Sequence, residues 1–176
     1  MAFTISNPVG GGLSAINPAG AYAAGYQGID ERSATQRYPL GTRVRAVDPT
    51  YGEAEFIYCK GVASNRVGSA VRVGGDFSTT LAVARGIYNL VGVSMSAFVA
   101  NEYGWVCIFG SVPVRANAVV AGTQAYLTAV ADTLDDAVVA GDNIFGAAFR
   151  TADGTPSAGV AILTLSYACT GDTDNA

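Results

Sequence analysis

Four aspartates, Asp132, Asp135, Asp136 and Asp142, lie close together and form the densest group of possible ligands in the chain. A Ca²⁺ ion takes about six to eight oxygens, and a carboxylate-rich loop can supply several. The Gly and Glu that an EF-hand needs do not fall at the required offsets. The aspartates therefore read as caps on solvated turns, and no metal is expected. Glu53 and Glu55 stand two apart on a strand pattern, so both point to one face. Paired carboxylates can perform glycosidic acid–base chemistry. Arg43 and Arg45 alternate in the same way on the preceding strand, so the expectation is cross-strand ion pairing and not catalysis.

Histidine is absent. That removes the usual general base, metal ligand and pH switch together, and with them any Ser-His-Asp triad, Cys-His pair or zinc HExxH site. Cys59, Cys107 and Cys169 are odd in number and far apart, without metal-ligand spacing. Cys59 and Cys107 fall in apolar strand patterns and read as small buried hydrophobes. Gly10-Gly11-Gly12 is no phosphate loop, because no GK[ST] follows it. Tyr51, Tyr58, Tyr88, Phe98, Tyr103 and Trp105 could make a stacking platform for a sugar or base. Aromatics in strands more often pack a core. No catalytic residue, cofactor or enzymatic activity is expected.

The elements that carry these residues read as β. Thr42–Val47 alternates polar and apolar; Asp48-Pro49-Thr50-Tyr51-Gly52 is a tight turn; Glu53–Lys60 resumes as a strand. Further strands are expected at 65–73, 79–84, 90–99, 105–110, 112–116, 125–128, 144–149 and 159–167. A four-residue connection, Asn101–Gly104, joins a hairpin. Ala118-Val119-Val120-Ala121-Gly122 recurs as Ala137-Val138-Val139-Ala140-Gly141, which suggests two similar entries into one sheet. The fold class expected is all-β: a jelly-roll-like sandwich or barrel of about 8–10 short strands.

Ahead of this body, Met1 to Ile29 carries no charge and is punctuated by Gly and Pro too often for a helix or a membrane span. A free solvated tail is usually charged. Residues 1–38 therefore read as an extended arm lying on another protein. Phe3, Ile5, Val9, Leu13, Ile16, Tyr22, Tyr26, Arg32 and Arg37 are its candidate contacts. Residues 39–169 form the body and 170–176 a flexible tail. Only 14% of residues are charged, against an ordinary value of about 25%. Large neutral surfaces suit contact between proteins. A net charge of −4 with no basic run disfavours nucleic acid, and no membrane partner is expected.

Asp48–Ser64 (Asp-Pro-Thr-Tyr-Gly-Glu-Ala-Glu-Phe-Ile-Tyr-Cys-Lys-Gly-Val-Ala-Ser) is similar to a stretch in small head proteins of tailed bacteriophages. Val93–Ala97, Glu102–Trp105, Gly141–Arg150 and Gly154–Gly159 also match. The chain thus resembles capsid decoration (cement) proteins over roughly residues 40–165. The resemblance implies a viral structural protein, made in the host cytoplasm. It would sit on the outer surface of an icosahedral virion, commonly as a homotrimer. There it would bridge major capsid protein subunits and stabilise the head. The alternative is a carbohydrate- or receptor-binding β module of a virion spike or fibre, using the aromatics near Tyr103 and Trp105.

Overall fold

The computed structural model describes residues 4–7, 27–84, 89–138 and 142–171, the first group by its backbone alone. The described residues form eleven strands and no helix: β1 (Thr4–Asn7), β2 (Arg43–Asp48), β3 (Gly52–Lys60), β4 (Ala70–Val73), β5 (Thr79–Leu81), β6 (Leu90–Ser94), β7 (Tyr103–Arg115), β8 (Gln124–Leu127), β9 (Leu134–Asp135), β10 (Asn143–Phe149) and β11 (Val160–Thr170). The sheet runs β1-β2-β3-β7-β6-β11-β10-β8-β9, with β4 on β6 and β5 on β4, and it does not close. The fold is all-β and antiparallel, a jelly-roll-like sandwich, as expected.

Local chemistry makes the first hairpin. Asp48 Oδ1 accepts from the Thr50 and Tyr51 amides at 2.7 and 3.1 Å, and Gly52 takes φ +84° to return the chain as β3. β3 and β7 then form the central ribbon. Phe56, Tyr58, Trp105 and Cys107 enter the main core, with Val44, Val112, Val114, Phe149 and Leu163. Ile57, Cys59, Val106 and Ile108 point the opposite way into a smaller core with Val71, Val73 and Phe98. Burial on both faces explains why these strands read as unbroken apolar runs.

The sheet turns on β7. Val106 and Cys107 pair with β6, whereas Phe109 to Arg115 pair with β11. At the change of partner Gly110 adopts φ +102°, and a Cβ there would lie 2.6 Å from the Glu53 carbonyl oxygen. Only glycine fits this close approach. Residues 112–116 are therefore largely the end of β7 and not a separate strand. Pro113 is tolerated because β3 no longer accompanies β7 beyond Phe109, which leaves that edge without a ladder donor to supply.

Several boundaries move. The strand expected at 65–73 begins at Ala70, after turns that place Ser64 and Gly68 at positive φ. The strand expected at 90–99 stops at Ser94, so the hairpin connection is longer, and Phe98 folds into the smaller core. The two echoed segments precede β8 and β10, which are neighbours in the sheet; residues 139–141 lie outside the described residues.

The division at residue 38 is corrected. Ile29 is 1% exposed in the main core. Gln27 accepts the Tyr58 hydroxyl at 2.6 Å through Oε1 and donates through Nε2 to the Tyr103 carbonyl at 2.8 Å. Its own carbonyl accepts the Trp105 indole N–H at 3.3 Å. Ser33 exchanges both backbone hydrogen bonds with Tyr103. An uncharged Gln-Gly-Ile segment can be desolvated here because its polar groups find partners. Residues 27–38 thus belong to the body. At the other end β11 runs through the buried Thr170, so any tail starts later than residue 170.

Candidate subunit-contact face

Strand alternation would send Phe109 into the main core with Trp105 and Cys107. It does not go there. Phe56 pairs with Cys107 but Glu55 pairs with Phe109, so Ile108 is an extra residue on β7. A bulge of this kind reverses the alternation. Phe109 and Ser111 face outward, and Gly110, Val112 and Val114 inward. A second bulge acts on β11. Phe145 pairs with Cys169 and Ala147 with Leu165, leaving Ser166, Tyr167 and Ala168 against Gly146 alone. Ala168 takes the inward position, and Tyr167, at φ +48°, swings to the outer side.

Directly paired residues share a face. One row therefore runs Arg45, Glu55, Phe109, Ser166 and a second runs Ser111, Thr164, Ala148, Gln124. Together they lay an outward surface of small polar and aromatic groups over β2, β3, β7, β11, β10 and β8. Phe109, Phe145 and Tyr167 are 40–44% exposed on it. The rings of Phe109 and Tyr167 stand 5.3 Å apart. Beside them is a cleft of about 260 Å³ lined by Arg45, Glu53, Ala54, Glu55, Phe109 and Tyr167.

The expected cross-strand ion pairs form at its edge. Arg43 reaches Glu55 at 3.5 Å, and Arg45 reaches Glu53 at 3.7 Å and Glu55 at 3.5 Å. Glu55 is not left to solvent: it is 7% exposed, and the Tyr167 hydroxyl donates to its Oε2 at 3.0 Å. That bond to a carboxylate, with burial, raises the Tyr167 phenol above its ordinary pKa. Both glutamates are thus engaged by arginine, the opposite of a free acid–base pair. The charges on this edge balance, so the face is neutral.

Sequence reasoning missed Phe109, Phe145 and Tyr167. The one visible signal was Ala168, an apolar residue where the polar alternation of Thr164 and Ser166 on β11 would continue.

The other candidates scatter. Asp132 is 2% exposed, and its carboxylate accepts from Arg66 Nε and Nη2 at 2.9 and 3.0 Å and from Ser69 Oγ at 3.0 Å, with Arg115 Nε at 3.4 Å. Asp136 accepts the Val120 amide at 2.9 Å. Burial first, then the nearby Asp136 and Asp142 charges, raises the Asp135 carboxyl above its usual range. No group of three or more His, Cys, Asp or Glu is placed to hold a metal among the described residues.

The stacking platform is overturned by burial. Tyr58, Phe98 and Trp105 are at most 1% exposed, and Tyr103 stacks on Tyr58. Tyr88 lies outside the described residues.

Of the arm candidates, Ile5 sits in β1 opposite Ala46. Arg32 Nη1 is turned onto the body, 3.2 Å from Glu102 Oε2 and 3.2 Å from the Ala97 carbonyl. The Arg37 amide donates to the Tyr58 hydroxyl at 3.2 Å. Phe3, Val9, Leu13, Ile16, Tyr22 and Tyr26 lie outside the described residues.

Cys59 and Cys107 are buried; Cys169 is exposed, opposite Phe145. Burial pushes the Cys59 thiol up to about 12 and raises Cys107 as well. Only Cys169 is therefore expected to react with a maleimide in the folded protein, with all three reacting after denaturation. Mass spectrometry of the labelled chain checks this; rapid native labelling of Cys59 or Cys107 would contradict the packing described.

No protein-family model matches this chain, and no curated protein matches it.

Proposed function

We propose that the protein is a capsid decoration (cement) protein, binding the outer surface of a tailed-phage head as a homotrimer and bridging major-capsid subunits. The resemblance of Asp48–Ser64 and the later segments to phage head proteins supports the class. The observation that carries the reading is the neutral outward face of Phe109, Phe145, Tyr167 and their small neighbours. A surface of exposed aromatics with balanced charges suits contact between proteins. Several copies engaging one shell turn modest single contacts into high avidity.

The test is co-sedimentation with phage heads assembled from the cognate major capsid protein. Phe109→Ser with Tyr167→Ser removes two aromatic anchors, and truncating such anchors costs about 2 kcal/mol each when they are hot spots. Apparent affinity is expected to fall at least tenfold, while thermal unfolding shifts little because both rings are partly exposed. A maleimide on Cys169, set on the same face, is expected to weaken binding too. Unchanged sedimentation of both would overturn the assignment of this face.

A further inference from the structure

We propose that β1 is exchanged between copies of this chain, the Thr4–Asn7 strand of one copy pairing with β2 of another. Three observations lead there. First, β1 contributes only a four-residue backbone ladder to the outer edge of β2, with Thr4 opposite Val47 and Asn7 opposite Arg45. Such a ladder makes the same hydrogen bonds whether the strand comes from its own chain or from a neighbour.

Second, the connection is longer than pairing within one chain requires. Asn7 lies opposite Arg45, and Thr42, three residues before Arg45, offers its carbonyl to the Tyr58 amide. The Tyr58 hydroxyl in turn donates to Gln27. From Asn7 to Gln27 by this path is ~30 Å, taking about 3.3 Å per strand residue, about 4.8 Å for each of the two steps between strands, and the tyrosine and glutamine side chains. About nine extended residues would bridge it. The sequence provides nineteen, residues 8–26, with five glycines and no charge. Nineteen residues have a full reach of roughly 60 Å. A body of this size has a radius of gyration of roughly 15 Å, so the β2 edge of a touching copy falls within reach.

Third, β2 pairs with β3 on one side and, among the described residues, with β1 alone on the other, so its outer ladder is open to a strand from another copy.

This deepens the oligomeric part of the reading above and is independent of what the assembled copies bind. The experiment uses purified full-length protein without heads, so its outcome is separate from that of the sedimentation assay. In a Cys169→Ser background, Thr4→Cys and Val47→Cys are placed on two chains of different length, co-expressed and treated with a short bis-maleimide. A cross-linked species containing one chain of each kind is expected, at least ten times its yield when either cysteine chain is paired with a cysteine-less partner at that site. The Thr4→Cys, Val47→Cys double variant is expected to cross-link mainly into oligomers. If the double variant links only within single chains, or links nowhere, or if light scattering finds a monomer, the exchange is overturned.

Discussion

Asp132→Asn is expected to lower the unfolding free energy by about 1.5–3 kcal/mol, the usual worth of charged hydrogen bonds, because the carboxylate is buried while its partner Arg66 is 54% exposed and keeps its solvation. For a chain of this size that is a fall of roughly 3–12 °C in the thermal midpoint. Asp132 sits at φ +73° and ties four segments together: its carboxylate holds Arg66, Ser69 and Arg115, its amide donates to the Ala82 carbonyl, and its carbonyl accepts from the Ala70 amide. Asparagine tolerates the left-handed backbone, so the substitution isolates the lost charge from backbone strain. It leaves Arg66 and Arg115 converging on a neutral amide. Glu53→Gln is the control. Its partner Arg45 is 59% exposed and Glu53 itself 57%, and pairs this open are worth about 0–1 kcal/mol. Equal midpoints for the two variants would show that the Asp132 cluster is no clamp.

Truncation gives the other large effect. A chain starting after residue 24 is expected to fold, whereas one starting after residue 29 is expected to lose about 3.5–9 kcal/mol. That figure combines the burial of Ile29, about 1.5–3 kcal/mol, with two stranded polar groups at about 1–3 kcal/mol each. The stranded groups are the Trp105 indole N–H and the donor side of the Tyr58 hydroxyl, both of which bond to Gln27; the hydroxyl keeps only the Arg37 amide. Against a total stability of about 5–15 kcal/mol, this leaves the longer truncation marginal. Urea titration of the two proteins checks it, and matching midpoints would return the boundary to residue 38. Loss of head binding is informative only in the shorter truncation, which keeps its core.

The β2–β3 hairpin was legible because its causes are local. Asp48, Pro49 and Gly52 set the turn, and period-two alternation then fixed which side Arg43, Arg45, Glu53 and Glu55 share. The Asp132 cluster was not legible. Counting carboxylates suggests cation ligands, but the partners of Asp132 come from positions 66, 69 and 115, and no spacing rule links them. Gln27-Gly28-Ile29 failed for a related reason. Lack of charge shows that a segment can be covered by protein, and says nothing about whose.

The sequence by itself determined the all-β class, the strand-rich body and its principal turns, because side-chain alternation and turn chemistry act over a few residues. It also removed imidazole chemistry, since there is no histidine to provide it. Tertiary structure alone decided which residues form the outer face. Each of the two bulges shifts the period of its strand, sending Phe109 and Tyr167 outward where unbroken alternation would bury them. Bulges arise from how two distant strands must align, and that alignment exists only once the sheet has formed.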